Sequence, residues 1–320
     1  MCSSDLEKDK PVKPGFPFQP AGTDFRDGLR EGFVSWLTAP ENPLFARVAV
    51  NRIWQWHFGE GLQKTPSDFG LLGGRPSHPQ LLDYLARRLL DNGWSQRDLI
   101  REIVLTRTFG LNSRTSDGVL EQQDPANRLF ARGRRRRLDA ESLRDSVLLA
   151  SGQLDRQPAQ STVSYLGDQA TAVGSNPVRR KTDYLCRSIY LPVIRNDLPE
   201  IFEVFDFANP HLSTGARTGT SVPAQGLYFL NDVMVMDAAE NAARSLLQEY
   251  PTSSDQQLIV HAFRRITGTD PTTDEEIAMQ QFLEITRCEL TANGAENSRL
   301  KALGHLCHAV FGSSRFQYLD

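Results

Sequence analysis

The chain has no apolar run near the roughly 20 residues needed to cross a bilayer, and its N-terminus lacks the apolar core of a secretory signal. It also has no charge excess: 36 Lys and Arg face 39 Asp and Glu, a formal net charge of -3. No overall field therefore favours nucleic acid or an anionic membrane, and neither partner is expected. Cysteine is scarce, with four residues in 320, too few and too widely spaced for a disulfide framework. A zincin motif and a P-loop lysine are missing, and GLLGG follows no strand pattern, which removes the usual metalloprotease and nucleotide signals. No Ser or Cys sits in a nucleophile elbow, so a hydrolase triad has no anchor.

With 39% hydrophobic and 23% charged residues, the chain reads as a soluble globular protein with one large or two ordinary cores. Residues 1–23 read as a linker or disordered arm rich in Pro and Lys, and MCSSDL matches the translation of a common sequencing adaptor, so residues 1–6 read as an artefact. A helical N-terminal half is expected over 24–151. Its central helix, ENPLFARVAVNRIWQWHF, is apolar around most of its circumference and so is read as buried. The next two helices form an antiparallel pair, with Ser77 able to cap the first, Gly93 in the left-handed position that ends it, and Ser95 with Asp98 opening the second.

Residues 152–196 read as an irregular connector, with RSIYLPVIRN as a short strand or extended segment. A C-terminal helical half is expected over 197–320, including VPAQGLYFLNDVMVMDAAENAARSLLQEY, with Leu227, Leu230, Val233 or Met234, and Ala238 on one face, and a capping box at Thr273 and Glu276. The fold class is mainly α, a multi-helical domain with a long irregular central region and at most a minor β element.

Two constellations carry candidate chemistry. On NRIWQWHFGEGLQKTPSDFG, Trp54 and Phe58 share a helix face, while Arg52, His57, Asp68 and the following His78 are able to converge around an acid/base histidine oriented by a carboxylate. The competing and favoured reading makes Arg52 and Asp68 a buried ion pair that fixes the loop, with His57 bonded to backbone. On RTGTSVPAQGLYFLND, Arg217 and a Gly/Thr-rich loop precede a helix N-terminus suited to an anion, and Gln225, Asn231 and Asp232 add polar groups. Here too loop capping is favoured; Asp206, Asn209 and His211 precede this segment.

Two further signals read as structural. RGRRRRL, 132–138, is a solvated helix start paired with the acids of DAESLRD rather than an anion site. HLCH, 305–308, is a core cysteine beside partly exposed histidines, since a zinc site needs three or four ligands; no metal site is expected.

In order along the chain, NRIWQWHFGEGLQKTPSDFG, RPSHPQLLDYLA, NGWSQRDLIREIVLTRTF, DPANRLFARGRRRRLDAESLRDSVLLASGQLD, RSIYLPVIRNDLPEIFEVFDFANP, RTGTSVPAQGLYFLND and LCHAVFGSSRFQYLD resemble the planctomycete-type domain of unknown function numbered fifteen-fifty-three, the PSD domain. That resemblance implies the C-terminal part of a large exported, periplasmic or cell-surface protein, with a cytochrome c-like module and a companion domain upstream. It implies no established activity. The chain itself contains no C-x-x-C-H, so no cofactor is expected within it, and haem c would belong to the upstream modules. The leading expectation is a module that docks or scaffolds such a domain; the rival is an enzyme acting on a carbohydrate or another exported substrate.

Overall fold

A computed structural model describes residues 29–39, 41–113, 118–158, 184–195 and 198–319. The arm expected at 1–23 and most of the connector, 159–183, lie outside the described residues. What is described is mainly helical, with one short antiparallel strand pair, Arg136–Arg137 (β1) against Tyr318–Leu319 (β2). The chain divides into two compact units, 1–134 and 135–320.

The N-terminal unit is built on α2 (Pro43–Phe58), α3 (Pro79–Asp91) and α4 (Gln96–Val104), with the shorter α1 (Leu29–Thr38) and α5 (Gly118–Gln123). Asn42 opens α2 by accepting the Leu44 N–H at 3.0 Å, and Pro43 in the first turn lacks the N–H that the helix start cannot use. Val50, Ile53 and Trp54 from α2 meet Leu82, Leu85 and Leu89 from α3, and Leu99 and Ile103 from α4, in one apolar core. Gly93 is left-handed as expected, at φ 61°, and Trp94 follows at φ 65°. Ser95 caps α4 through the Asp98 N–H, whereas α3 starts from His78 without a side-chain cap, so Ser77 does not serve there.

The C-terminal unit contains α6 (Ala140–Ala150), α7 (Glu200–Val204), α8 (Pro223–Asn231), α9 (Val233–Glu249), α10 (Asp255–Thr267), α11 (Thr273–Ala292), α12 (Ser298–Phe311) and α13 (Ser314–Gln317). Its centre is the packing of α9 on α12. Ala238, Ala239, Ala242 and Ala243 keep the face of α9 flat, so Leu303, Leu306, Cys307 and Val310 of α12 seat closely on it. Helix α6, which the sequence groups with the N-terminal half, packs against α9 and α10.

Several local expectations shift. Of the strand or extended segment expected over RSIYLPVIRN, the described residues 187–195 form no strand: Ser188–Tyr190 make a 3-10 turn followed by Leu191 in extended conformation, and the bridge nearby joins Asp155 to Cys186. The RGRRRR run does not start a helix. Arg136 and Arg137 form β1, because their backbone groups have the chain's end at Tyr318 and Leu319 as a partner. The α11 capping box uses Thr272 and Glu275, one residue earlier than the motif suggested. The long helix expected after Val222 breaks at Asp232, whose carboxylate caps α9 by accepting the Met234 and Val235 N–H groups. That break rotates the faces: Tyr228, Phe229, Val235 and Ala238 are buried, whereas Leu227, Leu230 and Val233 are exposed.

Candidate functional site

In the N-terminal unit, the four sequence candidates are placed one by one rather than joined. Arg52 is exposed, and Asp68, also exposed, accepts the Gly70 N–H at 2.9 Å. No ion pair links them, which corrects the expected buried pair. His57 Nδ1 donates to the Ile53 carbonyl at 2.7 Å, the backbone bond of the structural reading. His78 Nδ1 lies 3.0 Å from Ser77 Oγ, and its ring is 5.5 Å from that of Phe130. Trp54 stacks on Phe58 with ring centroids 4.1 Å apart, as core packing required.

The residue that pins the turn after α2 is Asn51, which the sequence reading passed over. Fully buried, it accepts the Gln63 N–H at 2.8 Å and donates to the Gln63 carbonyl at 2.9 Å. A buried Asn on an otherwise apolar helix face was the available signal, since such a group must find partners.

In the C-terminal unit the organising residue is Arg137, also unselected from sequence. It is mostly buried and donates to Asp206 Oδ2 at 2.6 Å and to the Thr220 carbonyl, while its guanidinium lies 5.3 Å from the Phe205 ring centroid. Asp206, at φ 59°, also accepts the Thr220 N–H at 2.8 Å and its hydroxyl at 2.9 Å. Gln225 closes the group by accepting the Val222 N–H at 3.3 Å and donating to the Val204 carbonyl at 3.0 Å. Two amides of the RTGTSV loop, those of Thr220 and Val222, are thus bonded within the fold and not offered to an anion.

The remaining candidates are likewise engaged. Arg217 forms a two-pronged bond to Glu141, at 2.7 and 2.8 Å, with Phe207 5.2 Å away, and that bond holds the guanidinium's proton more tightly than usual. Asn231 donates to the Leu227 carbonyl at 2.8 Å, Asp232 caps α9, and Asn209 accepts the His211 N–H. Within the arginine run and DAESLRD, Glu141 takes Arg217, Arg134 takes Glu60 and Arg137 takes Asp206, so these three find partners far along the chain instead of one another. Cys307 is fully buried, its thiol pushed up to about 12 by burial, and is inert as a nucleophile or ligand; His308 bonds the Phe229 carbonyl at 2.7 Å. Among the described residues no group of three or more His, Cys, Asp and Glu is placed to hold a metal.

Burial would raise the pKa of Asp206, but the Thr220 amide, Arg137 and the Thr220 hydroxyl together hold the carboxyl below its ordinary value. A depressed carboxylate stabilises the fold above its unfolded pKa and loses that contribution as pH falls through its folded one. We expect Asp206→Asn to flatten the acid limb of C-terminal-unit stability below about pH 4. Thermal melts at pH 3 and pH 7 that show an unchanged acid slope would refute this assignment.

Together these observations define a mainly helical protein of two compact units, each braced by internal polar networks. The chain belongs to the PSD1 family, proteins of unknown function (DUF1553), whose family model matches residues 29–283. No curated protein and no solved structure matches it.

Proposed function

We propose that the chain is a non-catalytic docking module of a larger exported protein, holding a companion domain of the same polypeptide against its C-terminal unit. The observation that carries this reading is an exposed apolar row along α8 and the start of α9. Val222, Leu227, Leu230, Val233 and Met236 all face solvent, Leu227 and Leu230 at 57% and 58% exposure. From Ser221 to Met236 the only charged residue is Asp232, and its carboxylate is occupied in capping α9. An uncharged exposed row of this length marks an interaction surface. The occupant we commit to is the companion domain that the family resemblance places upstream; a cytochrome c-like module would stand beside it.

The enzyme reading draws no comparable support. Of the eight candidate polar residues, seven have hydrogen-bonding partners within their own unit, and Arg52 is exposed.

The test uses the companion domain encoded in the same reading frame, expressed as a separate chain and titrated calorimetrically against the present one. Leu227→Glu with Leu230→Glu buries two unpaired charges in the interface and should weaken binding by at least about a hundredfold. The solvent-facing substitutions should leave the free protein folded. A reading frame without a companion domain, equal affinity in the double variant, or a wild-type dimer that the variant dissolves would each overturn the proposal, the last by assigning the face to a second copy.

A further inference from the structure

A cavity of about 330 Å³ opens in the N-terminal unit, bordered by the turn after α2, the segment before α3 and the loop through Arg128. Its volume sits at the lower end of small-ligand sites, about 300–1,000 Å³. The wall carries Lys64, Arg75, Arg128 and Arg134 against one carboxylate, Glu60, a net three positive charges in a chain that is negative overall. Glu60 is already committed, with Lys64 Nζ 2.7 Å away and Arg134 bonded to its other oxygen. Burial alone would raise its pKa, but those two cations hold the carboxyl below its ordinary value, so it remains an anion.

Arg75 and Arg128 differ from this pair. Neither guanidinium has an ion-pair or hydrogen-bond partner among the described residues. Their backbones, however, are fixed. Gly74, just before Arg75, donates its N–H to Thr65 Oγ1 at 2.9 Å, and the Arg128 N–H donates to Asp124 Oδ1 at 2.9 Å. The neighbouring Asn127, 5% exposed, bonds the Arg132 carbonyl and N–H with its side chain. The fold therefore fixes the backbone beside two cations whose guanidiniums make no hydrogen bond or ion pair of their own among the described residues, Asp124 being the carboxylate whose field reaches Arg128. Phe130, also on the wall, packs its ring against Trp54 and Phe58 and offers a rigid apolar surface beside the charge.

We propose that this cavity binds a small organic oxyanion of the phosphate or sulfate type. Its charged group is met by Arg75, Arg128 and Arg134, and its organic part lies on Phe130. Guanidiniums bond tetrahedral oxyanions through paired N–H groups, and several positive charges favour an anion of high charge density over a carboxylate. Glu60 acts as the internal competitor that shares Lys64 and Arg134 and so weakens their hold on the ligand. The site is separate from the apolar row of the C-terminal unit and does not depend on it.

The experiment titrates the full chain at low ionic strength with phenyl phosphate, phenyl sulfate and benzoate, followed by calorimetry. Saturable binding of phenyl phosphate or phenyl sulfate is expected, at least about tenfold tighter than benzoate. Arg75→Ala with Arg128→Ala should weaken it by at least about tenfold without moving the melting temperature of the free protein, because neither guanidinium has a hydrogen bond or ion pair to lose among the described residues. Glu60→Gln should act in the opposite direction and tighten binding severalfold, since it releases two cations. Absence of saturable binding, equal affinity for benzoate, binding unchanged in the arginine double variant (an adventitious ion only), or no tightening in Glu60→Gln would overturn the proposal.

Discussion

Replacing Arg144 by alanine is expected to cost the C-terminal unit about 3–5 kcal/mol of stability, the scale of removing one member of a buried charged network. Arg144 lies on α6 with its side chain wholly inaccessible to solvent, between Leu143 and the turn that carries Val147. Its guanidinium donates to the Cys186 carbonyl at 3.0 Å, to Ser188 Oγ at 3.2 Å and to the Tyr184 carbonyl. Asp145 stands 3.7 Å away as the nearest carboxylate and accepts both the Ser188 N–H at 2.7 Å and its hydroxyl at 2.6 Å. Burial lowers the pKa of the guanidinium and Asp145 works against that, but an arginine stays charged in either case. Alanine would thus leave carbonyls without donors and a cavity beside the core. Lysine keeps the charge but not the fork, so Arg144→Lys should lose less than Arg144→Ala and still be destabilised. Because the two units need not unfold together, the readout is hydrogen exchange resolved to α6 and α9. A loss below about 1 kcal/mol for the alanine variant would show that the network is worth no more than a surface pair.

The turn after α2 should respond almost as strongly. Asn51→Ala removes both partners of the buried Gln63 backbone, and each orphaned group costs about 1–3 kcal/mol, so a loss of at least about 2 kcal/mol is expected in the N-terminal unit. Gly61 explains why the turn has the form it does. A Cβ there would lie 2.6 Å from Asn51 Nδ2 and 2.7 Å from the Gln63 carbonyl oxygen, so Gly61→Ala should cost about 1–3 kcal/mol by displacing the same hydrogen bonds. The two substitutions act on one contact and should not add. Gly61→Ala made in the Asn51→Ala background is expected to cost clearly less than alone, which a double-mutant cycle of urea melts measures. Additive losses would mean that the glycine is required for another reason.

How much of this was legible depended on the range of the interactions. The N-cap of α4 and the left-handed Gly93 were readable because each is settled within a few residues of chain. Burial of Trp54 followed from a helix apolar all round. The break at Asp232 was missed although it too is local, because the apolar period runs unbroken across it and the capping carboxylate was counted as a candidate ligand. The arginine run was misread for the opposite reason. Charge spacing along a helix pointed to the neighbouring acids, whereas Arg134 and Arg137 found Glu60 and Asp206, which lie 74 and 69 residues away in the chain.

The sequence by itself determined the helical class, part of the helix punctuation and the family, because hydrophobic period, capping chemistry and ordered motifs are properties of contiguous residues. Only the tertiary structure decided which polar groups are consumed and which are left over. Asn51, Arg137 and Arg144 became structural by finding acceptors beyond their own helix or strand, while the guanidiniums of Arg75 and Arg128, on a cavity wall, make no hydrogen bond or ion pair among the described residues. Nothing local distinguishes one arginine from another, since the energy of a charged side chain is set by the partners and solvent that the fold brings to it.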